Sequence, residues 1–150
     1  MLLFKLAGLI ILFLICATLG FSKAGNIKKR AKKLNCYYRA AESLALRIRT
    51  ENKETEKILT LCFKTEEVFF KNGKINYNKS NLTASDTDLL NEFFEGFGQR
   101  SREDEYERTC LFVNLIKKQY EKAAAEEEKL CKLYSTVGIL CGVFVCIFFL

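Results

Sequence analysis

Residues 102–150 read REDEYERTCLFVNLIKKQYEKAAAEEEKLCKLYSTVGILCGVFVCIFFL, and no proline interrupts them. Proline in a helix interior removes a hydrogen bond and clashes with the preceding turn, so its absence leaves this stretch free to stay helical. It predicts one continuous helix of about 49 residues, roughly 73 Å long at 1.5 Å per residue. The two halves of that helix suit two solvents. Charges recur as far as Lys132, whereas residues 134–150 carry none. A helix crosses a bilayer when about 17 to 25 predominantly apolar residues follow one another, because backbone groups in hydrocarbon must be satisfied within the helix. Residues 134–150 sit at the short end of that range. A buried helix of a soluble domain is the competing reading, but the greasy run from Phe144 to Leu150 is followed by nothing that would cover it.

The other end mirrors this one. Residues 1–21 read MLLFKLAGLIILFLICATLGF with Lys5 as the single charge. A cleaved signal peptide would place positive charge before the apolar run and small residues at a cleavage site. Here the basic cluster Lys23, Lys28, Lys29, Arg30, Lys32 and Lys33 comes after the run, as in an uncleaved anchor. The expected organisation is therefore a transmembrane helix over 1–21, a helical domain over 22–133 and a second transmembrane helix over 134–150. Positive charge close to a span end stays in the cytoplasm. The basic cluster after the first span, supported by Lys129 and Lys132 before the second, places the middle domain in the cytoplasm and both termini across the membrane.

Composition narrows the chemistry. The chain has seven cysteines and no histidine. Cys36, Cys62, Cys110 and Cys131 fall in the middle domain at separations far from any C-x-x-C zinc or redox pattern, so they read as small apolar packing residues. No cofactor, metal site or enzymatic activity is expected, since no motif sets a nucleophile beside a base. By count, residues 22–79 hold 15 Lys and Arg against 6 Asp and Glu, and residues 80–133 hold 8 against 12. This asymmetry permits a basic face toward a partner or an acidic lipid surface. Nucleic acid is not an expected partner, because Tyr37 and Tyr38 are the only aromatics beside the basic cluster.

The middle domain reads as all-α. Leu34, Tyr37, Ala41, Leu44 and Ile48 form a stripe at helical spacing. A second helix is expected over about 52–70, with Ile58, Leu61, Cys62 and Phe69 inward, followed by loop composition in KNGKINYNKSNLTAS and at most a weak strand over 74–77. The sequons at Asn78 and Asn81 would matter only in a eukaryotic lumen. Ser85 with Asp88 suggests a capping box opening a short helix whose inward face is Leu89, Leu90, Phe93, Phe94 and Phe97. Gly98 then suits a left-handed residue past its end. Ser101 with Asp104 repeats the start signal, and Tyr106, Cys110, Val113, Tyr120 and Ala124 keep helical spacing after it.

Residues 89–150 resemble the C-terminal half of stage III sporulation protein AB, a membrane protein family of endospore-forming bacteria. The resemblance is carried by Leu89 and Leu90, Phe97 and Gly98, Asp104 or Glu105, the Ala-Glu stretch 123–128, Lys129 with Leu133 and Tyr134, and Gly138 with Gly142 in the terminal span. It implies a component of a channel-like complex that the mother cell assembles around the forespore. It also implies a cytoplasmic helical bundle similar to the domain of platform protein F of type II secretion. The implied partners are a cytoplasmic secretion-type ATPase, stage III sporulation protein AA, other proteins of that complex, and membrane lipid. A membrane-anchored assembly chaperone or sensor with the same topology, and a cysteine-dependent membrane enzyme, are the alternative readings.

Two groups of residues follow as candidates. Gly138 and Gly142 form a G-x-x-x-G that lets helix backbones approach closely in lipid, to pack either against the first span, where Cys16 and Gly20 make another small-x-x-x-small pair, or against a partner's span. Glu103, Asp104, Glu105 and Glu107 form either a docking patch or an acidic first turn that complements the helix dipole.

Overall fold

The structure, a computed structural model, describes residues 2–51, 54–64, 69–71 and 74–149, with residues 2–7, 9, 12, 69–71, 74–75, 146 and 148–149 described by backbone only. Among these residues four helices and one hairpin occur in the order α1 (Leu2–Thr50), α2 (Thr55–Cys62), β1 (Phe69–Lys71), β2 (Lys74–Asn76), α3 (Ala84–Phe94) and α4 (Arg102–Phe149). The two strands pair antiparallel, Phe69 opposite Asn76 and Lys71 opposite Lys74. The helices carry the fold, as the sequence leads one to expect. Two compact units divide the chain: one comprises Met1–Lys29 and Ala123–Leu150, the other Arg30–Lys122.

The second unit is built on the α1 stripe. Leu34, Tyr37, Ala41, Leu44 and Ile48 are all fully buried. Around them runs a chain of rings. Tyr37 lies 6.1 Å from Phe63 and 6.4 Å from Tyr77, Phe63 meets Phe94 edge-on at 5.6 Å, and Phe93 stacks on Phe112 at 3.8 Å. Edge-on and offset ring pairs add favourable quadrupole interactions to the area they bury. These rings join α1 to α3 and α4 through the end of α2.

Several local readings shift. The helix expected over 52–70 is only Thr55–Cys62, and the chain is in strand conformation by Phe69. Phe69 and Phe70 are aromatic, and aromatic residues favour strands, so sheet propensity prevails over the helical reading there. Within α2 the buried residues are Ile58 and Leu59, while Leu61 is 53% exposed. Asn52 and the Phe69 side chain lie outside the described residues. The cap of α3 is Thr83 with Asp86, in a reciprocal capping box, rather than Ser85 with Asp88. In α4 the fully buried positions before the last turns are Glu105, Thr109 and Ile116, with Phe112 nearly so. The residues expected to mark that face, Tyr106, Cys110, Val113 and Tyr120, are only half-buried. The two sequons serve as turn elements: Asn78 Oδ1 accepts from the Ser80 N–H at 2.8 Å, and Asn81 adopts φ +60°, a left-handed conformation that Asn tolerates well.

The first unit pairs residues 2–29 of α1 with residues 123–149 of α4. Among its described side chains, several large apolar ones are exposed: Leu19 65%, Phe144 75% and Ile147 71%. Among the described residues no helix is long and apolar enough to cross a membrane. Both expected spans, 1–21 and 134–150, extend onto side chains outside that set.

Asp86 ties α3 to α1. It is fully buried, and its carboxylate accepts from Arg30 Nε at 2.8 Å and Arg30 Nη2 at 3.1 Å, as well as from the Thr83 N–H at 3.0 Å. Burial pushes this carboxyl up, but the Arg30 hydrogen bonds, the bonds to Thr83 and the guanidinium charge outweigh it and hold the group below its ordinary value. A depressed carboxylate contributes stability that is present above its unfolded pKa of about 3.9 and is lost as the pH falls through the lower folded value. Asp86→Asn is therefore expected to cost about 2 kcal/mol at neutral pH by removing the buried carboxylate charge that accepts from Arg30 and Thr83. Thermal melting of the full chain and the variant should show a constant gap from pH 6 to 8, narrowing below about pH 4. A gap independent of pH would contradict this account.

Candidate functional site

Two places in the structure concentrate the candidate residues. The first is the helix seam of the first unit. A Cβ added to Gly20 would fall 2.7 Å from the Tyr134 carbonyl oxygen and 3.0 Å from Gly138 Cα. One added to Gly138 would fall 3.1 Å from Gly20 Cα and 3.3 Å from the Cys16 carbonyl oxygen, and one on Gly142 would enter the Phe13 ring at 2.6 Å. Further along, the Cys131 thiol donates to the Ala24 carbonyl at 3.1 Å. Residue numbers rise on α1 as they fall on α4, so the two segments run antiparallel. Cys16, Gly20 and Gly138 lie together at a point where backbone meets backbone with no room for a side chain, and Gly142 makes room for Phe13.

The second place is the first two turns of α4. Ser101 caps the helix: its hydroxyl accepts from the Asp104 N–H at 3.2 Å and donates to Asp104 Oδ2 at 2.7 Å. Arg102 Nε donates to the Ile48 carbonyl at 2.7 Å, closing the C-terminal end of α1. Arg108 donates through Nη2 to the carbonyls of Glu92 and Glu95, closing the end of α3, and lies over the Phe93 ring. Free carbonyls at helix ends are satisfied by such basic side chains. Neither arginine was expected to have this task, and only their positions at the start of the last helix hint at it.

The four acidic candidates separate here. Glu103 and Glu107 are exposed, and Asp104 is exposed but engaged with Ser101. Glu105 does not belong to a surface patch, because it is fully buried and its Oε1 accepts from the Gly98 N–H at 3.0 Å. Gly98 needs its φ of +88°, and a Cβ there would fall 2.9 Å from Glu56 Cγ, so a glycine, a glutamate and a tight turn fix the α3–α4 corner together. Glu103 lines a groove of ≈ 400 Å³ with Ile48, Arg49, Arg102 and Tyr106. A smaller cleft of ≈ 70 Å³ lies between Leu89, Phe93, Arg108, Phe112 and Leu115.

Among the described residues no three His, Cys, Asp or Glu side chains gather where they could hold a metal ion. The Cys62 thiol is pushed up by burial, against the smaller effects of its hydrogen bond to Ser43 and the Arg47 charge. A raised thiol carries little thiolate and is a weak nucleophile. The geometry thus offers contact surfaces and clamps.

The stage III sporulation protein AB family model matches residues 62–150, which include the α4 clamp, Gly138 and Gly142. The chain belongs to that family. Membership gives it a sporulation-related role. Comparison with curated proteins and with solved structures finds no match. Within the family region lie both the corner set by Gly98 and Glu105 and one side of the glycine seam, whereas Cys16 and Gly20 on the other side precede it.

The seam gives a direct test. In an Ala24→Cys variant, oxidation of the full chain is expected to link position 24 to the adjacent Cys131, as located by peptide mapping. Adding Gly138→Leu and Gly142→Leu should reduce that link by about tenfold or more, because each leucine needs space already filled by α1. An undiminished link would show that the glycines do not set the approach of the helices.

Proposed function

We propose that this chain is a non-enzymatic platform component of the mother-cell sporulation channel complex, required for endospore formation, and that it docks a secretion-type ATPase, stage III sporulation protein AA. The observation that carries the reading is family membership over residues 62–150. The apolar runs 1–21 and 134–150 are read as two membrane passes that hold the helical domain in the mother-cell cytoplasm, with both termini across the membrane. The seam of small residues and the outward-facing Leu19, Phe144 and Ile147 support that reading, because helices in lipid pack through small residues and turn large apolar ones to the acyl chains.

The domain suits a docking role on physical grounds. Its helix ends are tied together by Arg30, Arg102 and Arg108, which makes a stiff scaffold, and its exposed charges leave a varied surface for a partner. Glu103 and Glu107 belong to the docking face in this reading, beside the groove lined by Ile48, Arg49, Arg102 and Tyr106. Rim charges of this kind govern encounter rate and salt dependence more than affinity.

Co-expression of the full-length chain with the ATPase is expected to yield a complex that co-purifies in detergent and changes ATP turnover. Glu103→Lys with Glu107→Lys should lower the association rate by about tenfold and flatten its salt dependence. Absence of binding and of any effect on turnover would remove the platform reading and favour an assembly chaperone or sensor.

A further inference from the structure

We propose that the polar end of the first unit is a binding site for the headgroup of an anionic phospholipid. This rests on the membrane reading above but not on the ATPase. Lys23, Lys28 and Lys29 on α1 and Lys129 and Lys132 on α4 are all exposed. The bond from Cys131 to the Ala24 carbonyl brings the two helices together between Lys23 and Lys132, so cations from both helices share one level. None of the five makes an ion pair or hydrogen bond among the described residues. No acidic residue occurs in 1–29 or in 129–150; on α4, Glu126, Glu127 and Glu128 come at the level of Lys28 and Lys29, so Lys23, Lys129 and Lys132 are the cations nearest the apolar surface.

Charge alone would suit any anion, but the neighbouring surface is more selective. Immediately beside the lysines are Leu19 at 65% exposure, Phe21 at 55%, Leu133 at 53% and Tyr134 at 39%. A cationic rim against an apolar wall matches an amphiphile with an anionic head. Free phosphate would satisfy the lysines and leave the wall in water. A second copy of the chain, inserted in the same direction, would cover the wall but set lysines against lysines, and like charges brought together oppose association. A lipid with a phosphate headgroup satisfies both. Each basic side chain close to an anionic surface contributes attraction that falls off within a Debye length.

The test uses the purified full chain in a non-ionic detergent, given equal amounts of phosphatidylglycerol and phosphatidylcholine with identical acyl chains and read by native mass spectrometry. Retained phosphatidylglycerol is expected to exceed phosphatidylcholine by about tenfold, with the preference shrinking as salt rises. Lys23→Gln, Lys129→Gln and Lys132→Gln together should bring the ratio close to one, while the corresponding three Lys→Arg changes should preserve it and guard against misfolding as the cause. Equal retention of the two lipids by the unaltered chain would overturn the proposal, as would an unchanged preference in the glutamine variant. Displacement of the lipid by millimolar inorganic phosphate, or a lipid-free dimer, would also overturn it in favour of a free-anion site or a self-association face. ATPase co-purification is independent of these results, and a chain found outside the membrane fraction would count against the membrane reading itself.

Discussion

Everything in the second unit is arranged to cover one stripe of α1. Leu34, Tyr37, Ala41, Leu44 and Ile48 have no exposure, and each remaining element supplies part of their cover or is tied to the helix that bears them. Phe63 at the end of α2 and Tyr77 after the hairpin approach Tyr37, Asp86 at the start of α3 holds Arg30, and Arg102 at the start of α4 holds the Ile48 carbonyl. Burial of each leucine or isoleucine among them contributes about 1.5 to 3 kcal/mol. The charged ties contribute less in free energy than in register, since each fixes one helix end against another.

The α3–α4 corner shows how an apolar core holds a polar side chain. Glu105 is fully buried, which is costly for a carboxylate without partners. Its Oε1 receives the Gly98 N–H, a donor that the left-handed turn leaves free, while the Thr109 hydroxyl donates to the Glu105 carbonyl one turn below. Gly98 fits this place because its φ of +88° is one that residues with a side chain rarely adopt. A residue that resembles docking chemistry in the sequence thus serves as a local clamp, and the surface role falls to Glu103 and Glu107.

Much of this architecture was legible in the residues. The α1 stripe, the unbroken α4 and the Ser101 cap with Asp104 each follow from one dominant signal, whether helical spacing, absence of proline or a start motif. The buried face of α4 was harder to see because Glu105 and Thr109 occupy it, so the polar–apolar pattern favours the neighbouring face through Tyr106, Cys110 and Val113. The short α2 is obscured by the apolar content of the sequence that follows it, where helical spacing and the strand propensity of Phe69 and Phe70 compete. Thr83 does not stand out as a cap in the sequence because Ser85 and Asp88 present the same spacing two residues later, and only the pairing of Asp86 with Arg30 distinguishes the two. Arg102 and Arg108 are marked only by their positions at the start of the last helix, since the carbonyls they satisfy belong to other helices.

In the membrane reading proposed above, the glycine seam obeys a different physics from the core. Between helices in water, bulky side chains are driven together because contact removes apolar area from solvent. In hydrocarbon that drive vanishes, and attraction depends on how many atoms reach van der Waals distance, which favours residues small enough for backbones to meet. At Gly20 and Gly138 the approach leaves no space for even a Cβ, while Leu19, Ile139 and Leu140 beside them remain exposed. For a water-soluble helix pair that choice would be backwards, since it hides the smallest residues and displays the largest. For a pair in lipid it is the expected one, and the lysines follow at the level where the apolar surface ends.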